Sequence, residues 1–295
     1  MALHQLLQDA PGVLLVFAGL LGLLVGSFLN VVIHRLPVML EREWAQQCRE
    51  LHGHEGNEAD AGAAEAPYNL VVPRSGCPKC GAMISARDNI PLLSYILLKG
   101  RCRHCGTHIP LRYPVVEALT GVLTLAVVWQ FGLGWPMVAA LALTWSLIAL
   151  TFIDLDHQIL PDSITQPILW LGVAVSLFGI FVDPRSSIIG ALSGYLSLWT
   201  VYWMFKLFTG KEGMGYGDFK LLALLGAWLG WQILPLTVLL SAAVGAVIGI
   251  ALILLRRHEG GQPMPFGPYL AGAGWIALMW GNDLTNAYLG YVGLG

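Results

Sequence analysis

Two aspartates lie where apolar stretches of this chain meet more polar sequence. Asp154 closes the apolar run 150–153, and Asp218 follows the glycine-rich run 213–217. A carboxylate costs roughly 2.5–3.5 kcal/mol at the centre of a membrane helix and less near its end, so its presence there needs a reason. Two carboxyl groups held close together share a proton and can activate water to split a peptide bond. The pair therefore suggests a site, provided that folding brings the two segments together.

Each aspartate also has a purely structural interpretation. Asp154 lies at a helix C-terminus, where the helix dipole disfavours an anion, whereas Asp218 opens a helix, where the dipole favours it. Asp218 could therefore simply cap a glycine-rich turn. Near Asp154, Asp156 lies farther from the apolar run, and Asp162 follows a proline and is predicted to be the N-cap of the next helix. Asp154 is thus predicted to be the most deeply placed of these neighbouring carboxylates.

Four of the five cysteines form two Cys-x-x-Cys pairs, Cys77 with Cys80 and Cys102 with Cys105. Two such pairs can complete a tetrahedral zinc site, and metal binding then supplies the folding free energy of a segment too short for a large core. Two disulfides or free thiols are the alternatives, and a reducing cytoplasm disfavours disulfides. The spacing therefore predicts a structural Zn²⁺ ion with these four ligands. Cys48 is interpreted as an ordinary free thiol.

The composition is that of a membrane protein. Hydrophobic residues make up 56% of the 295 residues and charged residues only 12%, against about 25% charged in ordinary soluble domains. There is no basic stripe with interleaved aromatic residues, so nucleic acid is not an expected partner. The first apolar run lacks the basic start and the small-residue cleavage site of a signal peptide, and we expect it to stay in the lipid bilayer as a helix.

Apolar runs long enough to cross a bilayer predict an all-α polytopic membrane protein of about eight transmembrane helices. We expect these helices over 12–33, 114–132, 135–154, 163–182, 187–207, 218–232, 234–255 and 267–288. The sixth is the shortest, and Gly226 and Gly230 interrupt it. The predicted organisation is a first transmembrane helix within 1–33, a small domain with the cysteines over 34–113, and a membrane-embedded core over 114–295.

The basic residues fall almost entirely on one side of this arrangement. Of the 16 lysines and arginines, all but Arg185 lie in the first loop, around the loop after the fifth helix, or after the seventh helix. Positive residues mark cytoplasmic loops. The cysteine domain and both aspartates are therefore predicted to lie on the cytoplasmic side.

Together these residues resemble the type IV prepilin peptidases, also called prepilin leader peptidase/N-methyltransferases, most nearly those of gamma-proteobacteria. The resemblance extends over nearly the whole chain, in matching order. It rests on the stretches 26–37, 154–162 and 213–220, on the two Cys-x-x-Cys pairs, and on Pro265-Phe266-Gly267-Pro268.

The resemblance implies a bacterial inner-membrane aspartic peptidase with Asp154 and Asp218 as its catalytic pair. Such enzymes cut the basic leader from type IV prepilins and type II secretion pseudopilins, and methylate the new N-terminus with S-adenosylmethionine. It also associates the four paired cysteines with a cytoplasmic domain. No Gly-x-Gly-x-x-Gly motif marks a methyl-donor site, and the role of Pro265-Phe266-Gly267-Pro268 stays open. The dipole at the helix start slightly favours Asp218 as the anion of the pair.

Two other classes of protein stay open. Carboxylates at membrane edges also serve as proton or ion relays in transporters, which have broken helices and repeated halves. The chain shows no internal repeat, and a zinc module has no evident role in a transporter. A methyltransferase with an inactive peptidase core is the other alternative, and the presence of both aspartates argues against it.

Overall fold

The computed structural model describes residues 11–51, 68–211, 213–255 and 264–292. Short 3₁₀ turns occur at Ala86–Asn89 and Trp231–Ile233. The α-helices of these ranges, in chain order, are α1 (Pro11–Leu51), α2 (Leu93–Leu97), α3 (Arg112–Phe131), α4 (Trp135–His157), α5 (Asp162–Ser176), α6 (Pro184–Thr209), α7 (Tyr216–Leu229), α8 (Leu234–Leu254) and α9 (Gly267–Val292).

All of these helices except α2 correspond one to one to the predicted spans, and the all-α polytopic fold is confirmed. Within the described ranges, five helices are long and apolar enough to cross a membrane, namely α1, α3, α4, α6 and α8 with the turn before it. Helices α5 and α7 have only 15 and 14 residues. At 1.5 Å per residue they reach about 21–23 Å, less than a hydrocarbon core of about 30 Å.

The first helix is longer than the sequence predicts. It was expected over 12–33, but α1 continues to Leu51. Hydropathy identifies only the apolar part, whereas the polar continuation is rich in glutamate, arginine and glutamine, which are good helix formers. The segment 34–113, predicted as a separate small domain, therefore begins as a continuation of the first helix.

The chain forms two compact units. The first, Val16–Leu123, contains most of α1, the cysteine segment and the first half of α3. Within it, α1 and α3 pack closely at Gly26, where a Cβ would lie 2.7 Å from Cα of Glu117. The Glu117 carboxylate accepts a hydrogen bond from the Leu92 backbone N–H at 2.9 Å, which attaches the chain just before α2 to α3.

The second unit contains α4 to α9 and is built around α7. From Asp218 to Leu229, every residue of α7 except Lys220 is buried, as expected for a helix that is apolar on all sides. On one face, α7 contacts α6 backbone to backbone: a Cβ on Gly190 would lie 2.2 Å from the carbonyl oxygen of Gly226. Small residues allow helices in membranes to approach this closely.

Helix α5 packs on α7 through Trp228. The Trp228 indole Nε1 donates to the carbonyl oxygen of Ile168 at 2.8 Å. A Cβ on Gly172 would lie 2.4 Å from the indole ring, so only glycine leaves room for it. The two short helices, α5 and α7, are thus fixed to each other at the end remote from Asp218.

Gly190→Ala is expected to disrupt the contact between α6 and α7, because the added methyl group would meet the Gly226 carbonyl oxygen. Overpacking of this kind destabilises by about 1–3 kcal/mol. The melting temperature of the detergent-purified protein should fall. Gly272→Ala is the matched control, since a Cβ there has no neighbour within 4 Å. A Gly190→Ala variant as stable as this control would contradict the packing described.

Candidate functional site

Asp154 lies in the last turn of α4, which continues to His157. Its side chain is buried, with only 5% of the residue exposed, whereas Asp156 is exposed. Asp154 is thus deeper than its neighbour, as predicted. Helix α4 ends three residues later, and the next residue, Gln158, adopts a left-handed conformation and donates its N–H to the Asp154 carbonyl oxygen at 3.0 Å.

Asp218 is the third residue of α7 and is 7% exposed. The glycine before it allows another segment to come close. A Cβ on Gly217 would lie 2.8 Å from Cβ of Leu160. Leu160 belongs to the short connection between α4 and α5. Through Leu160, the chain that follows Asp154 packs directly against the start of the helix that carries Asp218.

The fold brings the two predicted aspartates together. Their carboxyl groups are close enough to interact electrostatically, although they are 64 positions apart in the sequence. Two buried carboxyl groups in this relation resist being ionised together and so can hold one proton between them. This is the arrangement needed to deliver and accept protons at a reacting amide.

The sequence analysis did not predict that Gly267 belongs to the candidate site. Gly267 is part of Pro265-Phe266-Gly267-Pro268, the motif whose role stayed open. Gly267 opens α9 and is followed by Pro268, a residue well suited to the first turn of a helix. A Cβ on Gly267 would lie 2.5 Å from Oδ2 of Asp154, and the Gly267 backbone N–H faces the carboxylate. A glycine followed by proline at the start of a predicted helix was the available signal.

The geometry changes the electrostatic comparison between the two aspartates. Asp154 lies at the C-terminus of α4, which disfavours an anion, but also against the N-terminus of α9, which favours one. Asp218 lies in the first turn of α7. Each carboxylate therefore faces a helix N-terminus, and the dipole argument no longer favours Asp218 as the anion. Among the described residues, Oδ2 of Asp154 is buried without a hydrogen-bond partner.

The prediction that Asp162 is an N-cap is wrong. Pro161 is the N-cap residue of α5 and Asp162 is the first helical residue. The Asp162 carboxylate instead accepts hydrogen bonds from Nζ of Lys220, which lies 2.7 Å from both of its oxygens. Tertiary packing places a lysine of α7 beside this carboxylate, and the ion pair replaces the local capping bond.

The two cysteine pairs form nearly identical loops in the first unit. In each, the first cysteine, Cys77 or Cys102, donates its N–H to the carbonyl oxygen five residues later, at 3.0 and 2.8 Å. Gly81 and Gly106 complete the turns with φ of 68° and 67°, a conformation that glycine adopts without steric cost. These turns direct both thiols of each pair to the same point.

The four thiols are arranged to hold a metal ion. Their Sγ atoms all lie within 4.8 Å of one another, and those of Cys77 and Cys105 are 3.7 Å apart. A tetrahedral ion with metal–sulfur bonds of about 2.3 Å sets its sulfurs about 3.8 Å apart, whereas a disulfide needs about 2.05 Å. The geometry therefore fits a shared metal ion and does not fit two disulfides.

An ion pair between Arg103 and Asp88 stabilises the second cysteine loop. Nε of Arg103 lies 3.0 and 3.1 Å from the two carboxylate oxygens of Asp88, in the turn Ala86–Asn89. The hydrogen bond from Arg103 holds the pKa of the Asp88 carboxyl below its ordinary value. The loop is thereby attached to the chain between the two cysteine pairs.

Fold and site together define a class: a polytopic helical membrane protein in which a four-cysteine module precedes, in the sequence, a core that contains two buried and electrostatically interacting carboxylates. Two family models match the chain in the same order. The bacterial peptidase A24 N-terminal domain matches residues 20–131, which include the cysteines. The type IV leader peptidase family matches residues 141–250, which include both aspartates.

Curated relatives are similar over nearly their whole length. A protein of Aeromonas hydrophila is 57% identical over 97% of this chain and 98% of its own. One of Pseudomonas aeruginosa is 54% identical over 99% of each, and one of Burkholderia pseudomallei is 49% identical over 92% and 87%. Each is named prepilin leader peptidase/N-methyltransferase. The chain belongs to this family of enzymes, and the resemblance seen in the sequence is confirmed. No solved structure matches it.

The cysteine geometry predicts about one bound metal ion per chain in protein purified under reducing conditions. Replacing Cys77 and Cys80 together with serine should remove the metal, because two of the four ligands are lost. Elemental analysis of the purified protein measures this directly. Cys48→Ser is the control and should keep its metal. Metal-free wild-type protein, or metal retained by the double variant, would refute the site.

Proposed function

We propose that this protein is a membrane aspartic endopeptidase that cleaves the leader from type IV prepilins and type II secretion pseudopilins. The supporting observation is that Asp154 and Asp218 are both buried at helix ends and are close enough to interact electrostatically, although they are far apart in the sequence. The names of the relatives, prepilin leader peptidase/N-methyltransferase, support a prepilin leader as the substrate and N-methylation as a second activity. The proposed target of methylation is the newly exposed N-terminus.

The proposed mechanism follows from a pair of carboxyl groups that holds one proton. The ionised member takes a proton from water while the neutral member donates its proton to the oxygen of the scissile carbonyl. Water then attacks the carbonyl carbon, and no covalent intermediate forms. The buried Oδ2 of Asp154 has no hydrogen-bond partner among the described residues, so its capacity to accept a hydrogen bond is not used by them.

The placement of charge supports cleavage at the cytoplasmic face of the bacterial inner membrane. In the topology predicted from the sequence, almost all basic residues fall on the side that carries both aspartates and the cysteine pairs. A substrate with a basic leader and an apolar segment would keep its leader in the cytoplasm and its apolar segment in the membrane. Its scissile bond would then lie at the level of the two aspartates.

We propose that the metal is zinc, held by Cys77, Cys80, Cys102 and Cys105. Four thiolates in a tetrahedral arrangement are typical of structural zinc. Zinc would supply folding free energy to a segment with few buried side chains. For methylation, S-adenosylmethionine is the proposed methyl-donating substrate.

Asp154→Ala and Asp218→Ala are each expected to lower prepilin cleavage by at least about 10²-fold, because each removes one partner of the acid–base pair. Purified enzyme incubated with a purified prepilin, with and without S-adenosylmethionine, followed by mass measurement, separates cleavage from methylation. Asp156→Asn is the matched control and should cleave normally, since Asp156 is exposed. Normal cleavage by either alanine variant would exclude the proposed dyad.

Gly267→Ala is expected to reduce cleavage strongly while the protein still folds. The added methyl group would lie 2.5 Å from Oδ2 of Asp154 and must displace the carboxylate. A displacement of about 1 Å can cost about 10² in rate. The same cleavage assay measures this, with Gly272→Ala of the same helix as control. Equal rates for the two variants would show that the start of α9 does not position Asp154.

A further inference from the structure

An ion pair between Lys220 and Asp162 lies close in sequence to the two candidate aspartates and includes neither of them. Lys220 follows Asp218 by two residues on α7, and its Nζ lies 2.7 Å from both carboxylate oxygens of Asp162. Asp162 is the first residue of α5. The pair therefore connects the helix that carries Asp218 to the end of the short connection that follows Asp154.

This ion pair is not needed to hold the core together. The side chains of Lys220 and Asp162 are 28% and 60% exposed, and pairs this exposed to solvent contribute little to folding stability. Helices α5 and α7 are already joined at their other end, where Trp228 donates to the Ile168 carbonyl oxygen. Lys220 is nevertheless the one exception in the otherwise buried stretch from Asp218 to Leu229.

The connection held by the pair packs against both sides of the candidate site. Leu160 contacts the backbone of α7 at Gly217, where a Cβ would lie 2.8 Å from its Cβ. It also approaches the start of α9 at Gly267, where a Cβ would lie 3.4 Å from its Cδ1. A shift of this connection would therefore change the distance between Asp154, Asp218 and the α9 N-terminus.

We infer that Asp162 and Lys220 are positioning residues, whose ion pair holds the connection 158–161 against α7 and so fixes the spacing of Asp154 and Asp218. Neither side chain touches the reacting atoms. The effect on turnover rests on the proposed peptidase function, whereas the effect on spacing is a property of the fold. Because catalysis by a proton-sharing pair depends on sub-ångström placement, the loss should affect kcat more than KM.

Kinetics of the purified enzyme on a prepilin tests the inference. Lys220→Gln and Asp162→Asn should each lower kcat severalfold, up to about fivefold, with KM and melting temperature nearly unchanged. The exchanged variant, Asp162→Lys with Lys220→Asp, should recover most of the loss because it restores the pair with reversed charges. Lys211→Gln removes an exposed lysine outside the pair and serves as the control.

Three kinetic results would overturn the inference. The first is unchanged kcat in both single variants. The second is a fall in melting temperature that parallels the loss of rate, which would indicate a merely structural role. The third is an exchanged variant no better than the single variants.

A second measurement does not depend on peptidase activity. In a Cys48→Ser background, Asp154→Cys and Asp218→Cys place thiols at the two candidate positions, and dibromobimane bridges thiols that lie close together. Adding Lys220→Gln should slow formation of the cross-linked peptide, identified by mass, severalfold. An unchanged rate would overturn the positioning role. If cross-linking slows but Asp154→Ala still cleaves prepilin, the positioning role stands and the proposed dyad fails.

Discussion

The candidate site depends on α7 being surrounded by protein rather than by lipid. With 14 residues, this helix is too short to cross a bilayer alone. Its ends would leave polar backbone groups in hydrocarbon, which costs several kcal/mol per group. The glycine contact with α6 and the Trp228 contact with α5 enclose it instead. Asp218 is therefore buried among protein groups.

Among the described residues, the ends of helices rather than basic side chains accommodate the two carboxyl groups. The first turn of α7 contains Asp218, and the first residue of α9 faces Asp154. Partial positive charge at helix N-termini favours anions without placing a full positive charge beside them. The nearby lysine, Lys220, is paired with Asp162 instead. This leaves the two aspartates as the groups that compete for a proton.

The cysteine module is positioned by local backbone structure rather than by helix packing. Its two loops are each closed by backbone hydrogen bonds within six residues, and each contains a glycine at positive φ. Little beyond these loops is needed to place the four sulfurs, so a metal ion can take the place of a hydrophobic core. The chain between the two cysteine pairs is attached to α3, because the Glu117 carboxylate of that helix accepts a hydrogen bond from the Leu92 N–H.

The sequence by itself determined what depends on short stretches of chain: the apolar helices, the paired cysteines, and the greater depth of Asp154 compared with Asp156. Local composition and spacing encode these features, and family resemblance then singled out Asp154 and Asp218 as the catalytic pair. Tertiary structure alone decided which distant segments meet. It gave Asp162 an ion pair with Lys220 in place of a capping role, and it brought Gly267 against Asp154. These contacts join residues 58 and 113 positions apart, and only helix packing, which no local pattern specifies, sets their distance.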